Sequence, residues 1–292
     1  GGVMKVSFLG LGVMGAPMAG HLAAHRLDLT VWNRTGAKAE AFTAAHKARR
    51  AASPADAAKG AGAVITCLGD DPDIEMVLGE VLPLAAKGAL VIDHSTASPD
   101  LARRLASAFA DKGASFIDAP VSGGEAGAKA GKLSVMCGGE AAAVERARSI
   151  LEAYAARIVH VGPSGHGQLC KAVNQICIAG LLQGLSEGVH FAMTAGLDID
   201  RVLEAVSGGA ARSWQMENRA KTMAEGAFDF GFAVDWMRKD LRIALSEARK
   251  NGAQLPVTAL VDQFYAEIQA MGGGRNDTSS LIRRLKPPDR TS

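Results

Sequence analysis

The sequence has few of the features that mark secreted or metal-binding proteins. Its 292 residues include four cysteines, and these form no C-x-x-C pair and no His/Cys cluster with metal-ligand spacing. Cys170 and Cys177 are two helical turns apart, about 10 Å along a helix axis, which is too far for a disulfide. We therefore expect free thiols, a reducing cytoplasmic location and no metal ion.

An excess of charge and a long apolar run are missing as well. The formal net charge is +2, and no Lys/Arg run is interleaved with aromatic residues, so we expect no nucleic-acid partner. No signal-peptide pattern and no uninterrupted apolar run near 18 residues occurs, so the sequence predicts neither export nor membrane insertion. With 48% apolar residues, the chain is typical of a globular protein large enough for two domains.

A glycine-rich turn is present in the context that dinucleotide binding requires. The β-rich run Lys5–Leu9 leads directly into Gly-Leu-Gly-Val-Met-Gly at 10–15 and then into a helix that reaches about His25. In such a turn the first glycine permits the tight bend, the second lets the backbone approach a pyrophosphate, and the third lets helix and strand pack closely. The predicted cofactor-binding residues of this turn are Gly10, Gly12, Val13, Met14 and Gly15.

The end of the second predicted strand, 27–32, lacks an acidic residue. NAD enzymes carry an Asp or Glu there, which accepts a hydrogen bond from the ribose 2′-hydroxyl. Here the strand is followed by Asn33, Arg34 and Thr35, which suit a 2′-phosphate that a carboxylate would repel. We therefore predict NADP as the cofactor, with NAD as the alternative if Arg34 is only a surface arginine.

Short strands and helices alternate up to about residue 161 and predict a Rossmann-type doubly wound parallel sheet. The further strands are predicted at 63–68, Leu90–Asp93, Ser115–Asp118, 133–137 and 158–161, with a helix over 140–154. Because strand ends in such a sheet face the ligand crevice, we expect Leu68 and Thr96 to line the nicotinamide side of a cofactor site.

The turn Ser122-Gly123-Gly124 presents a hydroxyl and glycine amides at a strand end. Such a nest binds a small anion, and we expect that anion to be a substrate carboxylate. The alternative is an ordinary glycine loop with a turn serine. The small residues that follow, up to Gly131, favour the binding interpretation because they indicate close backbone approach.

The segment 162–197 organises the rest of the chain. It contains Pro163 at its start and no further proline until Pro256, and its apolar residues surround nearly the whole helix, which predicts a long buried helix. Lys171 lies in its first turns, with Asn174 and Gln175 one turn further on. A buried lysine suits general acid/base chemistry, whereas the alternative is a surface lysine whose ammonium reaches water.

These patterns predict an α/β fold with an all-α C-terminal domain, joined by a long interdomain helix. The NADP-binding Rossmann domain is predicted at 1–161. The helical substrate and dimerisation domain is predicted at 162–292, with the interdomain helix at 162–197. The helices expected after it are 199–207, 212–226, 232–252, 256–271 and 278–285.

Four stretches that span nearly the whole chain match one family pattern. They are Gly10-Leu-Gly-Val-Met-Gly-Ala-Pro-Met, Asp118-Ala-Pro-Val-Ser-Gly-Gly, Gly165-His-Gly-Gln-Leu-Cys-Lys-Ala-Val-Asn and Lys239-Asp240-Leu241. The chain thereby resembles the β-hydroxyacid dehydrogenases, which include 3-hydroxyisobutyrate dehydrogenase, tartronate semialdehyde reductase and the glyoxylate/succinic semialdehyde reductases. The resemblance implies a Rossmann domain, a helical C-terminal domain and an active site between them.

The resemblance also implies the roles of individual residues. Ser122 and Gly123 would hold the substrate carboxylate, Lys171 would donate the proton, and Lys239 would approach the cofactor. Members of the family carry an orienting asparagine three residues after the lysine, four residues after it, or at both positions. Here Asn174 and Gln175 occupy the two positions, so either amide remains a candidate for substrate binding.

The resulting hypothesis is an NADP(H)-dependent oxidoreductase that interconverts a short β-hydroxyacid and its semialdehyde, as a homodimer or homotetramer. Two alternatives remain: an imine reductase or reductive aminase on the same scaffold, and a catalytically silent NADP-binding interaction protein. Relatives of the first kind usually replace the lysine, so Lys171 argues against it. The Lys171–Asn174 pair and the Ser122 nest argue against the second. The identity of the hydroxyacid stays open.

Overall fold

The computed structural model of the chain describes residues 2–25 and 27–285. It divides into two compact units, Gly1–Lys171 and Ala172–Ser292. The division falls inside the first turns of a long helix, whereas the sequence predicted a domain boundary between 161 and 162. That boundary stays a prediction, and the two units are described one after the other.

Unit 1 is built on a nine-stranded, mostly parallel sheet. Its strands are β1 (Lys5–Leu9), β2 (Asp28–Trp32), β3 (Arg49–Arg50), β4 (Ala63–Thr66), β5 (Leu90–Asp93), β6 (Ser115–Asp118), β7 (Val121–Ser122), β8 (Leu133–Gly138) and β9 (Ala155–Gly162). Their order is β3-β2-β1-β4-β5-β6-β8-β7, with β9 paired to β8. The first six strands therefore follow the usual dinucleotide-binding order with its switch point between β1 and β4, which confirms the predicted fold class.

Helices cover both faces of this sheet. They are α1 (Gly15–Ala24), α2 (Gly36–Ala45), α3 (Pro54–Ala58), α4 (Asp71–Val81), α5 (Pro99–Ala110), α6 (Gly124–Ala130) and α7 (Ala141–Leu151). Neighbouring strand residues enter different cores: Phe8 packs in one hydrophobic cluster and Leu9 in another. Because side chains alternate across a strand, the two clusters lie on opposite faces, so the sheet is buried on both sides as parallel sheets usually are.

The far edge of the sheet differs from the predicted all-parallel arrangement. Strand β8 pairs antiparallel with β6 and with β7, because the chain reverses direction between β7 and β8. The Gly/Ala-rich run after Gly123 forms α6, a helix that the sequence did not predict. This helix begins after Gly123, with φ of 131°, and is followed by Gly131, with φ of 67°, two conformations that favour glycine. The two-residue strands β3 and β7 were too short to be recognised in the sequence.

The long helix α8 (His166–Thr194) begins in unit 1 and continues into unit 2. The expectation that it is buried all round is wrong, because Val173 is 60% exposed and Phe191 is 71% exposed. One 18-residue window has a mean hydropathy of 1.3, so this helix is long and apolar enough to cross a membrane by length and composition alone. Core helices of soluble proteins meet the same criteria.

Unit 2 is helical, as predicted. After α8 come α9 (Ile199–Val206), α10 (Trp214–Glu225), α11 (Val234–Asn251), α12 (Pro256–Ala270) and a 3-10 helix (Thr278–Arg284). Their ends agree with the sequence-based bounds to within two residues, and such differences are ordinary at helix termini. Met237 of α11 and Tyr265 of α12 are fully buried in the larger of two hydrophobic clusters of this unit.

Candidate functional site

The glycine turn after β1 has the geometry of a dinucleotide cradle. Gly10 has φ of 106°, and a Cβ there would collide with the carbonyl oxygen of Cys67. A Cβ at Gly15 would collide with the carbonyl oxygen of Gly10, whereas a Cβ at Gly12 would meet nothing within 4 Å. The outer glycines thus pack the turn against β4 and α1, and the middle one leaves open space for a pyrophosphate.

The N-terminus of α1 is suited to an anion. The first turn contains no acidic residue, and no side chain caps it, so the N–H groups there are left for a ligand or for water. Val13 of the turn is 54% exposed, while Met14 packs partly against the core. These features fit the cofactor diphosphate that the sequence predicted here.

Asn33 at the end of β2 is engaged by the protein itself. Its Oδ1 accepts a hydrogen bond from the backbone N–H of Leu11 at 2.8 Å, and its Nδ2 donates to the carbonyl oxygen of Thr35 at 3.1 Å. The side chain therefore ties the glycine turn to the start of α2. A direct contact between Asn33 and the cofactor stays a prediction.

Arg34, the cationic residue next to Asn33, is exposed. The sequence did not predict a second cationic residue nearby, Arg50. The Arg34 side chain is 71% exposed, and its Nη2 lies 3.3 Å from Oδ1 of Asp73. Arg50 of β3 lies against the first residue of α2, because a Cβ at Gly36 would stand 2.5 Å from Arg50 Nη2. Since α2 carries no acidic residue in its first turn and no side-chain cap, this helix end and Arg50 both favour an anion.

The sequence held no usable signal for Arg50. The register pairs it with Val31 of β2, and this pairing depends on the two-residue strand that the hydrophobic pattern does not reveal. Without β3, Arg49-Arg50 is merely a short basic pair on a loop.

The ends of β4 and β5 bring Leu68 and the segment containing Thr96 together. Ser95 Oγ accepts a hydrogen bond from the backbone N–H of Leu68 at 2.8 Å. Asp93 Oδ1 in turn accepts from Ser95 N at 3.0 Å and from Thr66 Oγ1 at 2.9 Å. Burial raises the pKa of Asp93 to about 6, although these hydrogen bonds oppose the shift. The predicted nicotinamide-side residues are thus held by a buried polar network.

His94 belongs to the same buried region and has a defined tautomer. Its Nδ1 lies 2.6 Å from the carbonyl oxygen of Ala119 and its Nε2 lies 2.6 Å from the hydroxyl of Tyr154. A carbonyl oxygen only accepts, so Nδ1 carries the proton and Nε2 accepts from the tyrosine hydroxyl. Burial lowers the pKa of His94 to about 4, which keeps the ring neutral.

The Ser122-Gly123-Gly124 turn lies at the junction of β7 and α6. Ser122 is half-buried and pairs with Ser134 of β8, and Gly124 has φ of 63°. A Cβ at Gly124 would meet nothing within 4 Å, so its backbone faces open space. A hydroxyl followed by two exposed glycines is consistent with the predicted anion nest.

Lys171 is 8% exposed, and its ammonium Nζ donates to the carbonyl oxygen of Val121 at 2.9 Å. That carbonyl immediately precedes Ser122, so the structure brings the predicted proton donor and the predicted carboxylate site together within unit 1. The N-terminal end of α8, one turn before the lysine, is bound by the buried carboxylate of Asp118. Burial raises the pKa of Asp118, against the effect of backbone hydrogen bonds.

In unit 2 the two predicted amides differ in their surroundings. Gln175 is 2% exposed; its Oε1 accepts from Asn174 Nδ2 at 2.8 Å, and its Nε2 donates to Asp240 Oδ2 at 2.8 Å. Asn174 is half-buried. Asp240 also lies 3.2 Å from Lys239 Nζ, whose ammonium is 5.5 Å from the ring of Trp236. The three predicted site residues of unit 2 therefore form one network through Asp240.

Two protein-family models together match nearly the whole chain. Residues 5–162 match the family described as the NAD-binding domain of 6-phosphogluconate dehydrogenase. Residues 165–285 match the family described as NAD-binding of NADP-dependent 3-hydroxyisobutyrate dehydrogenase.

Two relatives match this chain over nearly the whole of both sequences. A protein of Shewanella frigidimarina named only as an uncharacterized oxidoreductase is 56% identical over 285 residues, covering 97% of this chain and 98% of the relative. The 2-hydroxy-3-oxopropionate reductase of Escherichia coli is 36% identical over 290 residues, with 97% of both chains covered.

Solved structures share the fold. The 3-hydroxyisobutyrate dehydrogenase of Mycobacterium tuberculosis with L-serine has a TM-score of 0.89 at 30% identity, covering 98% of this chain and 100% of that one. Psf3 in complex with NADP+ and 2-OPP has a TM-score of 0.87 at 26% identity, covering 96% and 100%. An imine reductase from Pseudomonas sp. has a TM-score of 0.62 at 21% identity, covering 98% and 100%, which shows a shared fold alone.

Proposed function

Because the chain belongs to the 3-hydroxyisobutyrate dehydrogenase family of nicotinamide-dependent oxidoreductases, we propose that it interconverts a short β-hydroxyacid and its semialdehyde with NADP(H), acting as a reductase in the cell. The observation that carries the proposal is the buried ammonium of Lys171, bonded to the carbonyl oxygen that precedes Ser122. A cation so placed beside an anion nest suits a carboxylated aldehyde.

Lys171 is the general acid of the proposed reaction. When bound, a nicotinamide cofactor would supply the hydride that reduces the aldehyde carbon. The Lys171 ammonium polarises the carbonyl oxygen and then gives it a proton, so that no free alkoxide forms. Its hydrogen bond to Val121 O aims the ammonium beforehand, which reduces the reorganisation needed for the transition state. In the reverse direction the neutral amine accepts the hydroxyl proton.

The remaining polar groups hold the substrate. Ser122 Oγ and the backbone N–H groups of Gly123 and Gly124 bind its carboxylate. The Asn174 amide orients the reacting oxygen, and Gln175 supports Asn174, because both ends of the buried Gln175 amide are already bonded within the protein. This assigns the two candidate amides different roles.

The proposed cofactor preference rests on the end of β2. Arg34, Thr35 and Arg50 bind the 2′-phosphate, with Lys239 as a further cofactor contact. No carboxylate takes the position at which NAD enzymes hold the ribose 2′-hydroxyl. Arg50 beside the uncapped N-terminus of α2 adds a second positive group to the side of the site where the phosphate would lie.

An imine reductase or reductive aminase is disfavoured by Lys171, because relatives of that kind usually replace the lysine. A silent binding protein would have no use for a buried lysine held by a hydrogen bond. We further propose that a second copy of the chain packs on the exposed apolar residues of α8, Val173 and Phe191 among them. A cytoplasmic location follows from the free thiols expected from the sequence.

A panel of aldehydes tests the proposal. Glyoxylate, succinic semialdehyde and methylmalonate semialdehyde are each compared with acetaldehyde and propanal, with NADPH and with NADH. Unpaired buried donors cost about 1–3 kcal/mol each, so the acids should be reduced with a kcat/KM that is higher by a factor of about 10² or more. Ser122→Ala should narrow that ratio. Equal reduction of simple and carboxylated aldehydes would refute the substrate class.

A further inference from the structure

The side-chain amide of Gln168 joins two parts of unit 1 that are distant in sequence. Gln168 is 2% exposed. Its Oε1 accepts a hydrogen bond from the backbone N–H of Ala97 at 2.9 Å, and its Nε2 donates to the carbonyl oxygen of Ser95 at 2.8 Å. The two bonds reach the backbone on either side of Thr96. One buried amide thus fixes the segment after β5 to the first turn of α8.

The first turn of α8 is itself fixed to the sheet. Asp118 is fully buried, and its two oxygens accept hydrogen bonds from the backbone N–H groups of Gly165 at 2.9 Å and Gln168 at 3.0 Å. A Cβ at Gly167 would stand 2.5 Å from the carbonyl oxygens of both Asp118 and Met136. Because this close approach leaves no free space, the helix end cannot shift without breaking these contacts.

Lys171 follows Gln168 by three residues, so their side chains lie on the same face of α8. We infer that Gln168 is a positioning residue, which fixes the Lys171 ammonium relative to the Thr96 segment and so sets the alignment of proton donor and nicotinamide. The inference rests on the proposed function, which gives Lys171 the proton and Thr96 a place beside the cofactor. Misplacement by about 1 Å costs on the order of 10²-fold in rate.

The test uses Gln168→Met, which keeps most of the side-chain volume and removes both hydrogen bonds. Gln183→Met is the matched control, since Gln183 lies on the same helix and bonds only the exposed side chain of Glu187 among the contacts described. We expect Gln168→Met to lower kcat by roughly 10- to 100-fold, with KM and the Kd for NADPH changed less than about threefold. Gln168→Glu keeps the acceptor for Ala97, so its kcat should lie between those of the native protein and Gln168→Met.

A double-mutant cycle separates positioning from a general structural effect. In a Lys171→Ala background there is no ammonium to misplace, so Gln168→Met should have little further effect on kcat. An equal loss of kcat in both backgrounds would overturn the inference, and so would native kcat in Gln168→Met. If Gln168→Met does not fold, Gln168→Glu is measured in its place by the same cycle.

Two measurements on the cofactor-free protein do not depend on turnover. Hydrogen exchange at the Ala97 amide should accelerate in Gln168→Met by about tenfold or more, while exchange at Gly165, which is bound by Asp118, stays unchanged. Acylation of the Lys171 amine by acetic anhydride, read by peptide mass spectrometry, should also become several-fold faster. If neither the exchange rate at Ala97 nor the acylation rate of Lys171 changes, the inference is overturned. If the native protein reduces none of the acids, the proposed function fails, whereas these two measurements still decide whether Gln168 positions Lys171.

Discussion

The two ends of the proposed site in unit 1 are built in opposite ways. At the ends of β2 and β3, Arg34 is 71% exposed in its side chain, and Arg50 is exposed beside Gly36. At the ends of β5 and β6, by contrast, Asp93, Gln168 and Lys171 are each less than 9% exposed. Recognition of a phosphate is assigned to solvated cations, and chemistry to buried, hydrogen-bonded groups.

This difference has a physical reason. An exposed ion pair contributes little and is screened by salt, so a 2′-phosphate bound there adds selectivity without fixing geometry. A buried polar network is costly unless every member is bonded, but it then allows one arrangement. We therefore expect substitutions at the buried end to affect rate and stability strongly, and substitutions at the exposed end to change cofactor choice modestly.

Lys171→Ala should give the largest effect. Loss of the proposed general acid is expected to lower kcat by about 10²–10⁴-fold, while NADPH binding should stay near native because the proposed site places the lysine against the substrate and not against the cofactor diphosphate. Steady-state kinetics and NADPH fluorescence titration measure the two quantities, with a circular dichroism spectrum as the control for folding. Near-native turnover in a folded variant would make this lysine structural.

His94→Gln should reveal a pH dependence that is specific to the buried end. The folded pKa of His94 is about 4, so between about pH 4 and 6.5 the unfolded state binds a proton that the folded state does not. Stability from His94 therefore rises with pH across this window. The free-energy difference between native protein and variant should grow by about 3 kcal/mol from pH 4 to 7.

Ionisation of Asp93 has the opposite effect on the pH dependence of stability. Its folded pKa is raised to about 6, so between about pH 4 and 6 the folded state holds a proton that the unfolded state loses, and stability falls as pH rises. The native profile should thus be flatter than that of either His94→Gln or Asp93→Asn. Urea unfolding midpoints across pH 4–7 measure this, and parallel profiles for the three proteins would contradict the assigned environments.

The same contrast explains what the sequence could predict. The glycine turn, the strands, and the Lys171 and Ser122 motifs are each local, because a few neighbouring residues define them, and the fold class followed from their order. The network at the buried end joins residues far apart: Gln168 bonds backbone 71 and 73 residues away. No periodicity or spacing encodes such a pairing. In the sequence, nothing distinguished Gln168 from any other polar residue near the start of a helix.

Solvent exposure was also beyond the sequence. The apolar pattern of α8 predicted burial on all sides, yet Val173 and Phe191 are exposed, since the pattern registers which residues avoid water and not which surface covers them. At the exposed end of the site, the position of Arg50 depends on the two-residue strand β3, so it could not be predicted either. Pairing with β2, rather than the strand's own sequence, creates that element.

Arg34→Ala tests the exposed end. Loss of a charge-assisted bond to the phosphate costs about 1.5–3 kcal/mol, and exposure places the expected effect at the lower limit, about tenfold in kcat/KM for NADPH. The value for NADH should stay nearly constant. Raising the salt concentration should shrink the difference between native and variant. A native preference for NADH, or no loss with NADPH, would contradict the proposed cofactor choice.

Arg50→Ala should give the smallest effect, and its neighbour supplies the control. Arg49 and Arg50 are adjacent on β3, but Arg49 is bound to Asp56 with a distance of 3.0 Å between Nη1 and Oδ2, whereas the Arg50 guanidinium lies against Gly36 at the start of α2. A solvated cation there should contribute roughly 0.2–1 kcal/mol, so Arg50→Ala should weaken binding of 2′,5′-ADP by up to about fivefold and leave 5′-AMP unaffected. Arg49→Ala removes the same charge from the same strand and should change neither. If calorimetry finds equal losses in the two variants, only the long-range charge matters, and Arg50 has no specific place in the phosphate site.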